Sequence, residues 1–153
     1  MEYNPYALTG KTILVTGASS GIGRAVAIEC SRLGAHVILS ARNKEKLEET
    51  LKMMEGHGHQ VIECDLSKEK EVSLLIDEVP EIQGLVNNAG TTMTVPVPFI
   101  KFNVLSDLLK VNTIAPIMIL SGLVKKKKLR ANSSVVFTSS VSGLGRVSPG
   151  NTM

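Results

Sequence analysis

The sequence predicts a doubly wound α/β domain, a parallel sheet covered by helices on both faces. Three observations carry that expectation. A glycine-rich stretch, Thr16-Gly17-Ala18-Ser19-Ser20-Gly21-Ile22-Gly23, leaves a β-branched apolar run and enters an amphipathic one. Five short apolar runs alternate with segments of helical period. The links between them are short, with neither a low-complexity linker nor an internal repeat, so residues 1–153 read as a single domain.

Lys11-Thr12-Ile13-Leu14-Val15-Thr16 has the continuous apolar character of a parallel strand buried on both faces. Ile22, Val26, Cys30 and Leu33 then draw an apolar stripe along a helix that Gly34 stops. His36 to Ser40 is the second strand, and Asn43 caps a helix carrying Leu47, Leu51 and Met54, ended by Gly56 and Gly58. Gln60 to Cys64 is the third strand. Ser67 is expected to cap a helix with Val72, Leu75, Ile76 and Val79 on one face, closed by Pro80. Leu85-Val86-Asn87 is a brief fourth strand, a long helix is expected from Val104 to Lys128, and Ser134 to Thr138 is the fifth strand. Two strand orders fit this pattern: 2-1-3-4-5, as in a complete small domain, or 3-2-1-4-5, as in a dinucleotide-binding domain.

Composition narrows the function classes. The 43% apolar and 20% charged content is that of a globular protein, and with no Trp and three Phe its core is aliphatic. A net charge of +3 is too small to imply a nucleic-acid partner. Cys30 and Cys64 lack metal-ligand spacing and read as buried thiols in a reducing compartment. Residues 1–6 lack the features of a signal peptide, and the run from Ile114 to Val124 is too short to span a bilayer, so a cytoplasmic protein without a membrane partner is expected. Lys125 to Lys128 with Arg130 are read as cations complementing a helix C-terminus, and His57-Gly58-His59 as solvated loop rather than a metal site.

The glycine turn has one evident use. The first N–H groups of a helix lack internal partners and favour an anion, and glycines at 17, 21 and 23 remove the Cβ atoms that would keep a diphosphate away. About twenty residues on, a site for NAD usually shows a carboxylate for the ribose 2′-OH. Here the sequence is Ser40-Ala41-Arg42-Asn43. A guanidinium holds a 2′-phosphate where a carboxylate repels it, so NADP(H) is favoured over NAD(H), with Arg42 responsible; a solvated Arg at a helix start is the plainer alternative.

Thr16 to Gly23 follows the pattern TGxxxGxG, Asn87-Asn88-Ala89-Gly90 follows the fourth strand, Asn112 lies in the long helix, and Ser139-Ser140-Val141-Ser142-Gly143 follows the fifth. With Asp65 after the third strand, this ordered set resembles the short-chain dehydrogenase/reductase family, and its ketoreductase-type members most, from Lys11 to about Gly150. The resemblance implies a Rossmann sheet of order 3-2-1-4-5, incomplete on its C-terminal side. It implies that Gly17, Ser19, Ser20, Gly21, Ile22 and Gly23 hold the diphosphate, with Arg42 and Asn43 at the adenosine ribose. Asp65 and Leu66 would fix the adenine, although Asp65 also suits a plain cap of the next helix. Asn88, Ala89 and Gly90 would lie along the ribose.

For catalysis the resemblance implies Ser140 as the hydroxyl that holds the substrate carbonyl, with Ser139 as runner-up, and Asn112 as the residue ordering a water relay. Asn112 also suits a bent helix ahead of Pro116. The family's tyrosine and lysine, needed because a phenol of pKa about 10 is a poor base unless a cation favours phenolate, have no counterpart. Tyr3 and Tyr6 precede the first strand, and the expected Tyr-x-x-x-Lys falls at or beyond Met153. These residues are therefore expected to be the N-terminal part of a longer reductase, lacking the later strands and substrate loop and inactive alone. The expected partners are a small carbonyl or alcohol substrate and a second copy, as homodimer or homotetramer, through the 104–128 helix. The alternative is a catalytically silent dinucleotide-binding or scaffold protein.

Overall fold

The computed structural model describes residues 4–140, so the Val141-Ser142-Gly143 end of the serine motif and Tyr3 lie outside the described residues. Strand β1 (Thr12–Thr16) leads into α1 (Gly21–Arg32), β2 (His36–Ala41), α2 (Lys44–Lys52), β3 (Gln60–Glu63), α3 (Glu69–Glu78) and β4 (Ile82–Asn87). A short 3-10 turn, Val97–Phe99, precedes α4 (Phe102–Leu109), which runs through a π-helical turn at Lys110–Ile114 into α5 (Ala115–Lys125) and β5 (Leu129–Phe137). The five strands are parallel in the order β3-β2-β1-β4-β5. That excludes the 2-1-3-4-5 alternative.

Alternation along the strands divides the core between two faces. Leu14, Ile38, Ile62 and Leu85 meet α3 and α5 through Val72, Leu75, Ile76, Ile119 and Leu123. Ile13, Val15, Val37 and Leu39 meet α1 and α2 through Ala27 and Leu47. The α1 stripe differs from expectation: Gly23, Ala27 and Ser31 are the buried positions, Val26 and Cys30 are half-buried, and Ile22 is 65% exposed. Small residues face the sheet because the helix start must come close to the β1 turn, which displaces the larger side chains to its flank.

Other elements differ at their ends. Asn43 caps α2 as expected, its Oδ1 accepting from the Lys46 N–H at 2.9 Å, but α2 stops at Lys52, ahead of Gly56. Ser67 does not cap α3; its N–H and hydroxyl both donate to Asp65 Oδ1, leaving Lys68 at the cap position. Strand β4 starts three residues earlier than expected. Strand β5 starts at Leu129, with an irregularity between its Leu129 and Ser134 pairings that masks the pattern, including Asn132 at φ 64°.

Two basic readings also change. Lys128 caps α3 rather than its own helix: its Nζ donates to the carbonyls of Ile76 (2.9 Å), Asp77 (2.7 Å) and Val79 (2.6 Å). Lys126 pairs with Asp77, and Arg130 donates to Glu81 at 2.7 Å. His59 is no solvated loop residue. Its Nδ1 accepts from the Val37 N–H at 3.1 Å while Nε2 lies 2.8 Å from the Glu55 carbonyl, joining β2 to the end of α2.

The helix from Phe102 to Lys125, 24 residues, is long and apolar enough to cross a membrane by length and composition, unlike the shorter run read from sequence. Leu108, Ala115, Ile119 and Leu123 are buried along it, so this stretch covers the core of the domain. Lys128→Met should lower stability in urea unfolding by about 1–3 kcal/mol, because three helix-end carbonyls lose their donor, whereas Lys126→Ala, which breaks only an exposed pair, should change little.

Candidate functional site

The β1–α1 turn is built by close backbone approach. Gly17 has φ +69°, and a Cβ there would stand 2.8 Å from Ala89 Cα, so no other residue brings the turn this close to the loop after β4. A Cβ on Gly23 would run into the Gly17 carbonyl and the Asn88 amide. The Gly17 and Ala18 N–H groups donate to the Ser40 carbonyl at 2.8 and 3.2 Å, fixing the turn to β2.

Thr16 joins the turn to β4. Its buried hydroxyl accepts from the Asn88 N–H (3.1 Å) and the Ala89 N–H (3.2 Å) and donates to the Val86 carbonyl (3.3 Å). Thr138, just past β5, donates its hydroxyl to Asn88 Oδ1 at 3.2 Å. The ends of β1, β4 and β5 are thereby tied at one rim of the sheet, where helix α1 begins. Ser40 Oγ and both side-chain polar atoms of Asn87 are buried at this rim and have no hydrogen-bond partner among the described residues.

A cleft of about 370 Å³ opens there. Gly17, Ser19 and Ser20 form one wall, Arg42, Asn43 and Lys46 another, and Leu66, Ala89, Gly90 and Val111 the remainder. The rim lies outside the carboxyl ends of β1 and β4, where the strand order reverses direction, which is where open α/β sheets bind ligands. A diphosphate fits the wall of glycine and serine: a Cβ on Gly17 or Gly23 would push the turn away from the loop after β4 and open its fold, one on Gly21 would face open space, and the α1 N-terminus carries no acidic residue in its first turn. Arg42 is exposed, and the α2 N-terminus carries it and Lys46 as two cations on the opposite wall.

The sequence-derived candidates do not all meet in this cleft. Gly17, Ser19, Ser20, Arg42, Asn43, Leu66, Asn88, Ala89 and Gly90 line it. Gly23 is buried behind the turn, and Gly21 and Ile22 are exposed at the start of α1. Asp65 lines a neighbouring depression with Arg42, Glu63, Lys68 and Glu71. Burial disfavours its charge, but the Ser67 hydrogen bonds, with Lys68 and Arg42 nearby, outweigh this and hold the carboxyl below its ordinary range. Its N–H also donates to Glu71 at 2.7 Å. Cys64, on the cleft wall, has its thiol pushed up to about 12 by burial and by the Glu71 and Asp65 carboxylates, so it is a neutral thiol at physiological pH.

Asn112 sits in the π-helical turn and faces the loop after β4. Its Oδ1 accepts from the Thr91 N–H and its Nδ2 donates to the Thr91 carbonyl, both at 2.8 Å. The amide thus clamps the segment that follows Gly90, and the helix widens by one residue around it. Ser140 is exposed three residues beyond β5, on the same rim of the sheet.

The short chain dehydrogenase family model matches residues 11–151. This chain belongs to the short-chain dehydrogenase family. It is 35% identical over 150 residues to the 3-ketodihydrosphingosine reductase of Mus musculus, covering 91% of this chain and 45% of that protein. It is 34% identical over 137 residues to the 3-oxoacyl-(acyl-carrier-protein) reductase of Rickettsia felis, covering 90% and 56%. The chain therefore spans about half the length of these relatives. Among solved structures, a short chain dehydrogenase from Escherichia coli complexed with NADPH superposes with a TM-score of 0.83 at 31% identity, covering 96% of this chain and 65% of that one. A metagenomic short-chain oxidoreductase in complex with NADP gives 0.79 at 31% identity, covering 94% and 68%.

Within this short-chain dehydrogenase rim, sequence reasoning missed the individual parts played by Thr16, Arg24, Lys46 and Thr138. Thr16 belonged to the quoted glycine pattern, yet its hydroxyl partners are 70 residues or more away in sequence. Thr16→Val should leave the Asn88 and Ala89 N–H groups without that acceptor and lower unfolding stability by about 1–3 kcal/mol. Thr16→Ser keeps the acceptor and should retain most of it, and equal losses in the two variants would overturn this role.

Proposed function

We propose that these residues are the cofactor-binding part of an NADP(H)-dependent oxidoreductase that moves hydride between a nicotinamide and a carbonyl or secondary alcohol. One observation carries the reading: the Gly17–Gly23 turn and the cationic α2 start, Arg42 and Lys46, face each other across one cleft, and among the described residues no carboxylate lines it. The turn binds a diphosphate through backbone N–H groups, and Arg42 holds the 2′-phosphate. Leu66, Ala89 and Val111 give an apolar wall to the adenosine. When bound, the cofactor supplies the hydride donor or acceptor. Ser140 orients the substrate oxygen, and Asn112 holds the loop after Gly90 in register with the helix.

The 153 residues contain two tyrosines, Tyr3 and Tyr6, both ahead of β1, so the proton-handling tyrosine and lysine are proposed to come from sequence beyond Met153. The mouse and Rickettsia relatives are named for a 3-keto and a 3-oxoacyl group, which supports carbonyl reduction on a fatty chain as the full protein's activity. NADPH oxidation by the full-length protein on addition of a 3-oxoacyl thioester tests that activity. Arg42→Asp should weaken NADPH binding roughly 10- to 150-fold and move the preference towards NADH, since a charge-assisted contact is replaced by repulsion. An unchanged NADPH-to-NADH ratio in a fluorescence titration would refute the assignment.

A second copy is the proposed partner of the 104–128 helix. Val104, Leu109, Ile114, Ile117, Met118 and Val124 are exposed along it, too much apolar surface for a face that stays in water. Sedimentation of the full-length protein should give a dimer or tetramer, and Ile117→Lys should shift it towards monomer. A wild-type monomer at micromolar concentration would rule this out.

A further inference from the structure

Arg24 does not line the cleft, yet its side chain touches both of the segments that face each other across it. Its Nη2 donates to the Ser19 carbonyl at 2.6 Å, on the glycine turn, and its Nε donates to the Thr50 hydroxyl at 3.0 Å, on α2. Nη2 also lies 3.5 Å from the Lys46 carbonyl and 3.3 Å from Glu49 Oε2. Thr50 is fully buried, and its hydroxyl stands 3.0 Å from both the Ala18 and the Lys46 carbonyl oxygens. One guanidinium and one hydroxyl therefore bridge Ala18-Ser19 to the helix whose first turn carries Asn43 and Lys46.

Among the described residues no side chain lining the cleft bonds to both segments. The turn is held to β2 and β4 by Ser40 and Thr16, and the α2 start is held by its own Asn43 cap. The Arg24 side chain is 25% exposed, so its charge-assisted bonds are only partly screened by water. A dinucleotide carrying a 2′-phosphate must satisfy both segments at once, the turn with its diphosphate and the α2 start with its extra phosphate. One lacking that phosphate relies on the turn alone for its charged contacts.

We propose that Arg24, acting through Thr50, is a positioning residue that sets the spacing between the diphosphate turn and the Arg42–Lys46 segment, and so sets discrimination between NADPH and NADH. This rests on the dinucleotide reading above. Loss of the brace loosens α2 relative to the turn and weakens the ligand that needs both. Lysine at this position keeps the charge but offers one nitrogen in place of the two that bond Ser19 and Thr50, which makes it the graded substitution.

The test uses Arg24→Gln and Arg24→Lys in the full-length protein, with NADPH and NADH titrated separately and backbone hydrogen exchange followed without ligand. Arg24→Gln should raise the NADPH Kd roughly tenfold, the equivalent of one charged contact, with a clearly smaller change for NADH. Arg24→Lys should fall between it and wild type. Exchange should quicken together in residues 17–20 and 43–50. An NADPH-to-NADH ratio equal to wild type, or faster exchange in only one of the two segments, overturns the proposal. Wild-type protein that binds neither dinucleotide overturns the cofactor reading and the discrimination with it, while the exchange data still decide whether the brace couples the segments.

Discussion

The approach of the Gly17 backbone to Ala89 is the constraint from which the rest of the rim follows. Two loops from neighbouring strands can come this close only without a Cβ on one of them, and only if the N–H groups brought together find acceptors. Thr16 supplies the acceptor and Gly17 the missing side chain, from adjacent positions. Gly23 then lets the first turn of α1 settle against the same loop, which aims the helix N-terminus across the sheet rim. The small buried face of α1, the exposed position of Ile22 and the opening of the cleft are all consequences of that fit.

Much of this was legible in the sequence because it is local. The glycine spacing, the β-branched run before it and the Asn43 cap each depend on residues within a turn of one another, whereas the pattern left two strand orders open and only the family resemblance implied the one observed. Side chains whose meaning depends on which of several partners takes them were misread, one of them taken by a neighbour two residues away. Ser67 has the chemistry of a cap, but Asp65 lies closer and takes both its donors. Lys128 looks like a cation serving its own helix until α3 ends beside it. His59 looks like loop until Val37 and Glu55 occupy both ring nitrogens. For Lys128, and for His59 with Val37, the partners lie 22 residues or more along the chain, where spacing carries no information.

Charge is used differently on the two rims of the sheet. Near the β4 and β5 starts, Lys126, Lys128 and Arg130 are engaged within the chain with Asp77, the α3 carbonyls and Glu81, which ties the helix ends together. At the cleft the pattern reverses: among the described residues Arg42 and Lys46 line it without an ion pair of their own, and the carboxylates nearest Arg42 are bonded elsewhere, Asp65 to Ser67 and Glu71 to Lys68. The basic run that stands out in the sequence is therefore structural, and the sparse pair that does not stand out faces the ligand.

The widened turn at Lys110–Ile114 has a consequence for how this helix tolerates change in length. The surplus residue is taken up within that one turn, so α5 continues as it would from a regular helix one residue shorter, with Ala115, Ile119 and Leu123 buried along it. Deleting a single residue there would close the turn to regular geometry with α5 still seated on the core, and what would be lost is the placing of Asn112 against Thr91. The irregular turn therefore serves the clamp and not the core, and a tidier helix would leave the segment after Gly90 unfastened.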